Sequence, residues 1–568
     1  MTSLSPEAAV GAAPRARTLL TFASIAVALA AADTYVVVLA LTDMMQGVGL
    51  GIEHLQQAAP IISGFLLGYV AVLPLIGRLA DLVDRQRVLL GCLAIFVAGS
   101  IVTALAVELP VLVAGRVVQG IGGGGLVPAT LAIVAALWPE ERRGLPLGVV
   151  GAVQELGSVL GPVLGALILA VADWRAIFWL NAIGGVVLAV LIARAGGGVR
   201  WRVHGIRLGV SVLAALVLGL ALWAPAAVTD SVTLGVPFVP FGTMTSRLAT
   251  PVGVVGLALA ALALVWALRA SWPVLREAHP VGAALLGGML GCIVLTFASS
   301  DPEKEVVGPL GFALLPLGIV LGIAYAVVHR RSPNPVIPRG VVRGRTIWAL
   351  AVSLMVGIAL VAVVVDIPLL ARLIHDSDTS TRSVATEGAL VLVRFLLAVP
   401  VGALLGGWVL RWAGDGLVAA LGLVGAAAGL AILSTYGRDS FSGLSSYAVL
   451  ALTGIGVGLA LAPVNNAALA QTPQAAHGTA SALVVVARMV GMVVGIALLT
   501  AFGLHHYYQV VAAMPDPSDK TALVDAGISQ VHYVFRGATV AAVIGALVAP
   551  LLGLRRHAPV GGRQTFGL

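Results

Sequence analysis

The chain has 568 residues, of which 59% are hydrophobic and only 10% charged, and its mean hydropathy is +1.05. A soluble domain carries about 25% charged residues, so this composition excludes a soluble globular enzyme. The net charge of +8, from 33 Lys+Arg and 25 Asp+Glu, fits the positive-inside bias of a membrane protein better than nucleic-acid binding.

Apolar segments recur at the length that crosses a hydrocarbon core of ~30 Å as a helix. They lie near 18–41, 60–76, 88–107, 110–137, 146–170 and 176–195. Four more follow near 206–228, 250–270, 281–299 and 308–329, and six near 346–366, 386–411, 417–435, 444–464, 480–504 and 534–554. Arg15 and Arg17 ahead of the first segment have the look of a signal peptide, but apolar sequence resumes through Tyr35–Leu41, which predicts an uncleaved first span. With the N-terminus cytoplasmic, 22 Lys+Arg fall at inward ends and loops and seven at outward ones. That asymmetry supports sixteen spans with both termini inside, and it tolerates fourteen, because losing two spans preserves orientation.

The predicted organisation is a cytoplasmic tail (1–17), a six-helix bundle (18–200), linker transmembrane helices with a cytoplasmic connector (201–345), a second six-helix bundle (346–555) and a second tail (556–568). Two such halves are the outline of a transporter with its substrate path between them. Cys92 and Cys292 lie in apolar runs without metal or disulfide spacing, and His505, His506 and His532 have no companion at ligand spacing. No metal, cofactor or nucleic acid is expected.

The loop after the second span, Gly77–Arg87, holds Asp81, Asp84, Arg85 and Arg87, which together can form a breakable charge cluster. It resembles the signature loop of the major facilitator superfamily. Arg116, Gln119, Gly120 and Gly122 are similar to that superfamily's arginine motif, and Gly157, Gly161, Pro162 and Gly165 to the antiporter motif of its drug:proton exporters. Asp33–Leu41, Trp174–Phe178 and Asn181 resemble motifs of the subfamily with two extra linker helices. The chain departs from the pattern at Leu82 and Asp84 in the loop, at Val38 and Thr42 after Asp33, and at Arg411, which holds the acid's place in a degenerate second copy, Gly407–Gly414. More narrowly, Ala152–Gly165, Val365–Arg372, Arg488 and the long insertion between the last two spans resemble the mycobacterial triacylglyceride exporters. The resemblance implies an all-α major facilitator fold of about 14–16 spans in a bacterial inner membrane, no enzymatic activity, and a periplasmic lipid-carrier lipoprotein as partner.

Charges at bilayer depth are costly, ~2.5–3.5 kcal/mol each on insertion scales, so those retained deserve partners. Glu155 and Arg488 lie at one depth in spans with matching glycines, Gly157 and Gly161 against Gly491 and Gly495. They are predicted to form an ion lock between the halves. Asp33 and Arg116 form a second pair, with Asp33 the natural proton acceptor, since a carboxylate in low dielectric can load and release a proton. Asp366 and Arg394 are the corresponding pair in the second half.

The expected function is proton-driven export of a lipid or a lipophilic drug by a monomer. The alternatives are multidrug:proton antiport and, in another class, a membrane-embedded lipid-processing enzyme. An outward helical hairpin is predicted near 505–533, because apolar sequence continues past the membrane edge, breaks at Pro515–Ser518, and resumes behind Ser518 or Asp519 as a helix cap. Val524, Ile528, Val531 and Phe535 repeat there at helical spacing.

Overall fold

The computed structural model describes residues 6–50, 55–139, 142–196, 205–229, 231, 233, 235–242, 246–298, 311–374, 381–437, 440, 443–516 and 519–554. Among these the structure is helical, with no strand. The first bundle comprises α1 (Pro6–Gly47), α2 (Leu55–Leu82), α3 (Arg85–Leu105), α4 (Leu109–Leu137), α5 (Gly144–Val171) and α6 (Arg175–Ala195). The linker holds α7 (Gly205–Trp223), a single turn α8 (Ala226–Thr229), α9 (Pro251–Glu277), α10 (Pro280–Ala298) and α11 (Gly311–Arg331). The second bundle is α12 (Arg345–Ile374), α13 (Thr381–Val409), α14 (Asp415–Leu433), α15 (Leu444–Ala470), α16 (His477–Ala512) and α17 (Lys520–Val548). Fifteen of these helices are long and apolar enough to cross a membrane. The sixteenth, α10, is apolar over Pro280–Thr296. The chain is thus an all-α, multi-pass membrane protein.

Each bundle has its own core. One is centred on α12–α17 around Phe395, Leu423 and Phe535, and the other on the first bundle around Phe65, Leu73 and Phe96, reaching into α10, α15 and α16. The bundles meet where α2 and α4 pack on α16, and where α5 packs on α13 and α15. The linker forms two hairpins, α7 with α9 and α10 with α11. Helix α10 touches both halves, through α2 and α16. It lies so close to α2 that a Cβ at Gly287 would stand 2.6 Å from the Ala71 carbonyl oxygen.

Several boundaries move from the sequence reading. The segment expected as an N-terminal tail continues α1 back to Pro6. The loop expected at 271–280 is mostly helix, and α9 turns into α10 at Ala278 and His279, where His279 has a φ of 60°. Asp519 is the cap that opens α17: its Oδ1 accepts from the backbone N–H of Thr521 (2.9 Å) and Ala522 (3.3 Å). Ser518 and the whole of the second tail lie outside the described residues.

Candidate substrate path between the two bundles

The glycines of α5 and α16 set the geometry of the path. A Cβ on Gly157 would lie 2.3 Å from the carbonyl oxygen of Ala28, and one on Gly161 would lie 2.4 Å from that of Ala32. In the second half, a Cβ on Gly491 would lie 2.2 Å from the Leu354 carbonyl oxygen. Backbones can approach this closely only without side chains between them. So α5 is drawn onto α1, and α16 onto α12, by the same spacing. Helix α5 runs on through Pro162, and Gly165 is buried.

These four helices and α2 enclose a largely apolar cavity of about 190 Å³, reached by Val27, Tyr69, Leu360 and Met492 among others. Glu155 and Arg488 close one end of it. The Arg488 Nη1 donates to the Glu155 Oε1 at 3.3 Å, with side chains only 9% and 5% exposed respectively. Both residues stand eleven positions from the start of their helices, ~16 Å at 1.5 Å per residue. Beyond the pair lies a void of about 20 Å³ lined by Val150, Ser353, Val464 and Val485. Gln154 and Arg488 border both spaces. The pair is therefore the partition between an apolar cavity and the closed end of the path. Its one long contact contrasts with the 2.7–2.9 Å usual for charged N–H···O bonds.

The Asp33 site is built differently. Asp33 Oδ2 accepts from Arg116 Nη1 at 2.6 Å, while Oδ1 accepts from Gln119 Nε2 at 2.9 Å and Asn181 Nδ2 at 2.6 Å. Gln119 also donates to Ser100 at 3.0 Å, and the Arg116 guanidinium lies 4.4 Å from the centre of the Phe65 ring. Every member belongs to the first bundle, so this network is internal to one half.

Past the small void the halves are latched at two places. Asp81 accepts from the backbone N–H groups of Gly478 (2.6 Å) and Thr479 (3.0 Å) and from the Thr479 hydroxyl (2.6 Å). Helix α16 begins at His477 without a side-chain cap of its own, and its free N–H groups are answered by this carboxylate from the other half. Gly77 and Gly478 make the contact possible, since a Cβ on Gly77 would stand 2.5 Å from that of Ala482. Arg85 adds a bond to the Gln474 carbonyl oxygen at 3.3 Å. The second latch joins Gly144 of α5 to Gly407 of α13 in equally close contact. Beside it Arg143 donates to Asn466 Oδ1 at 2.8 Å, and Asn466 donates to Asp415 at 2.8 Å.

Some sequence expectations are corrected here. Asp84 takes no part across the halves: it caps α3, accepting from the Arg87 backbone N–H at 3.0 Å. Asp366 and Arg394 do not pair, because the Arg394 guanidinium sits 3.9 Å from the centre of the Tyr447 ring on α15, while Asp366 is buried on α12. Arg411, at the acid's place in the second copy of the loop, stacks on Trp408 and Trp412. Sequence reasoning missed Gly478, Thr479, Asn466 and Asp415. The one available signal was the start of α16, where Ala476 precedes His477 with no capping side chain.

The final hairpin extends the path's far end. His506 donates or accepts with Ser529 at 3.0 Å and stacks on Tyr533 at 3.7 Å, and His532 bonds the Tyr436 carbonyl oxygen at 2.7 Å. Tyr436 belongs to the α14–α15 connection. From His532 to Asp519 the hairpin runs 13 residues further, ~20 Å of helix. Ile528, Val531 and Phe535 are buried in the second bundle's core, so the apolar stripe that marks the helix is its packing seam and not a free surface for acyl chains.

Comparison with known proteins agrees with this architecture. A family model described as "Major Facilitator Superfamily" matches residues 23–331. A "Triacylglyceride transporter" of Mycobacteroides abscessus is 34% identical over 517 residues, covering 88% of this chain and 86% of that protein. Proteins of the same name from Mycolicibacterium smegmatis (34% identical, 94% of this chain, 87% of the other) and Mycobacterium tuberculosis (32%, 95% and 96%) are likewise similar over nearly their whole lengths. The fold is shared with the human organic anion transporter MFSD10, at a TM-score of 0.53 and 13% identity over 94% of this chain and 99% of that one. It is also shared with a double-tryptophan mutant of XylE, at a TM-score of 0.53 and 15% identity over 96% and 97%. With the motifs, the two bundles and these relatives in agreement, the chain belongs to the major facilitator superfamily.

Proposed function

We propose that this protein is a proton-gradient-driven exporter of triacylglyceride-like lipids, working by alternating access from the plasma membrane of a bacterium, with both termini cytoplasmic and as a monomer. The observation that carries the reading is the apolar cavity shared by both halves and partitioned from its closed end by the single Glu155–Arg488 contact. An apolar path suits a lipophilic cargo, and an ion pair across the halves held by one contact suits a gate that opens and closes. The name carried by relatives more than 30% identical supports a lipid as that cargo. Asp33, with Arg116, is the proton-coupling site in this reading, and Asp81 with its partners on α16 is the latch. The projecting hairpin near 505–533 is where lipid passes to a periplasmic lipid-carrier lipoprotein.

A second reading, multidrug:proton antiport, is favoured by the size of the cavity. At about 190 Å³ it falls below the 300–1,000 Å³ of ordinary small-molecule sites, so the halves must part for either cargo, and further for a lipid. The test uses the purified protein in liposomes that contain labelled triacylglyceride, with a pH gradient imposed and lipid capture by an acceptor measured. Gradient-dependent release, lost in Asp33→Asn while lipid binding in detergent persists, is the expected result. Release that ignores the gradient would remove the coupling step. Gradient-driven efflux of a lipophilic dye without lipid release would select the multidrug reading.

A further inference from the structure

The end of α11 and the connector to α12 form a basic recess that the transport path does not use. It is open, about 620 Å³, and lined by Tyr325, His329, Arg330, Ile337, Arg339 and Arg343 among others. Between Gly311 and Arg345 the sequence holds five arginines and no aspartate or glutamate. Arg339 donates to the carbonyl oxygens of Arg330 (2.9 Å) and Ser332 (3.0 Å), so it answers the carbonyls left open at the end of α11 and offsets their negative field. Arg330 and Arg343 are exposed, and among the described residues neither meets a carboxylate. The connector itself is anchored, with Val336 and Val341 buried against the body, so the arginines are presented from a fixed frame.

The second observation is the face that leads into the recess. Ile319, Ile323 and Val327, at 64%, 60% and 42% exposure, follow one side of α11 down to Arg330. On the other side of the connector Ile347 and Trp348 are exposed at the start of α12, and tryptophan favours the membrane interface. An apolar stripe ending in clustered arginines matches a molecule with acyl chains and an anionic head, and basic pockets at helix ends are known to take such lipids. We infer that this recess binds the phosphate headgroup of an anionic phospholipid, with its chains lying along α11. A free phosphate ion shares the headgroup chemistry but would have no use for the stripe. A triacylglyceride has no charge to place there, so this site is separate from the cargo path and stands whether or not the transport reading holds.

The experiment is native mass spectrometry of the full chain in detergent, titrated with phosphatidylglycerol or phosphatidylcholine. Phosphatidylglycerol is expected to be retained and phosphatidylcholine not. Arg330→Ala with Arg343→Ala should weaken phosphatidylglycerol binding about thirty-fold, since each basic residue near the surface is worth about 1 kcal/mol toward an anionic lipid. Arg330→Lys with Arg343→Lys, which keeps the charge, should retain it. Ile323→Asn, which interrupts the stripe, should weaken the lipid without touching the arginines. Equal retention of the two lipids would overturn the inference. So would inorganic phosphate displacing phosphatidylglycerol at millimolar concentration, which would mark a soluble-anion site.

Discussion

Replacing Glu155 by Gln leaves Arg488 without a counter-charge in a place where its side chain is only 9% exposed. Removing one member of a buried pair costs ~3–5 kcal/mol. The pair here has a single 3.3 Å contact and no second bond, so the lower end applies, about 3 kcal/mol. That cost falls on the conformation in which the bundles meet, because parting them exposes Arg488 to water. At ~1.4 kcal/mol per decade, the open population should rise about 10²-fold. Val464 reports this directly, since it is buried and lines the small void just beyond the pair. In a Val464→Cys background, the rate of modification by a thiol reagent tracks the open population as long as reclosing outpaces reaction. Glu155→Gln should raise that rate about 10²-fold, and the exchange Glu155→Arg with Arg488→Glu should return it most of the way. An unchanged rate in Glu155→Gln would mean that the pair does not hold the halves together, and the gate would have to be sought elsewhere.

The same labelling assay should respond to the latch. Asp81→Ala leaves two helix-end N–H groups and the Thr479 hydroxyl without their acceptor, a loss of ~1–3 kcal/mol, so Val464→Cys should label about ten-fold faster or more; no acceleration would rule out the cap as a latch. Gly157→Val and Gly491→Val place a side chain against the backbones of Ala28 and Leu354, where overpacking costs ~1–3 kcal/mol or more, and each should lower the thermal unfolding midpoint in detergent, whereas Gly437→Val, with open space around it, should not. In the hairpin, replacing residues 509–524 by a short Gly/Ser loop should spare the unfolding midpoint, because the bonds of His506 and His532 to Ser529 and Tyr436 remain, while lipid delivery to an acceptor falls; full delivery would leave the projection without a transport role.

The Glu155–Arg488 pair was legible because two features coincide in sequence: charges at equal depth, and glycines that fix which face each helix turns to its neighbour. Asp366 and Arg394 share only depth. Nothing in their flanks fixes rotation about the helix axis, and Arg394 turns to Tyr447 instead. Asp81 stood out as an acid in a basic loop, but its partners are backbone N–H groups, which leave no residue signature. Only the uncapped start of α16 hints at them. Asp84 misled for a related reason, since an aspartate just before a helix is more economically a cap than a gate. The hairpin was readable as helix from its apolar repeat, and the structure spends that repeat on packing: Ile528, Val531 and Phe535 are buried in the second bundle's core.

The two charged sites differ in a way that suits the different roles proposed for them. All three hydrogen bonds to Asp33 come from its own bundle, so rigid-body movement of one half against the other leaves its surroundings intact. Protonating it alters the bonds inside that bundle and breaks none across the interface. Glu155 and Arg488 are the reverse: one long bond, spanning the halves, with few side chains to hold either partner if the other leaves. If Asp33 is the proton-coupling site proposed above, its signal reaches the interface through the helices it ties together. The shortest physical route is α1, which carries Asp33 and packs along Gly157 and Gly161 of α5, the helix that presents Glu155. In the proposed cycle those glycine contacts carry α1 and α5 together, so a change in how α1 sits at Asp33 would shift Glu155 against Arg488. The contact least able to absorb a shift is the single 3.3 Å bond, and in the proposed cycle it is the one that gives way.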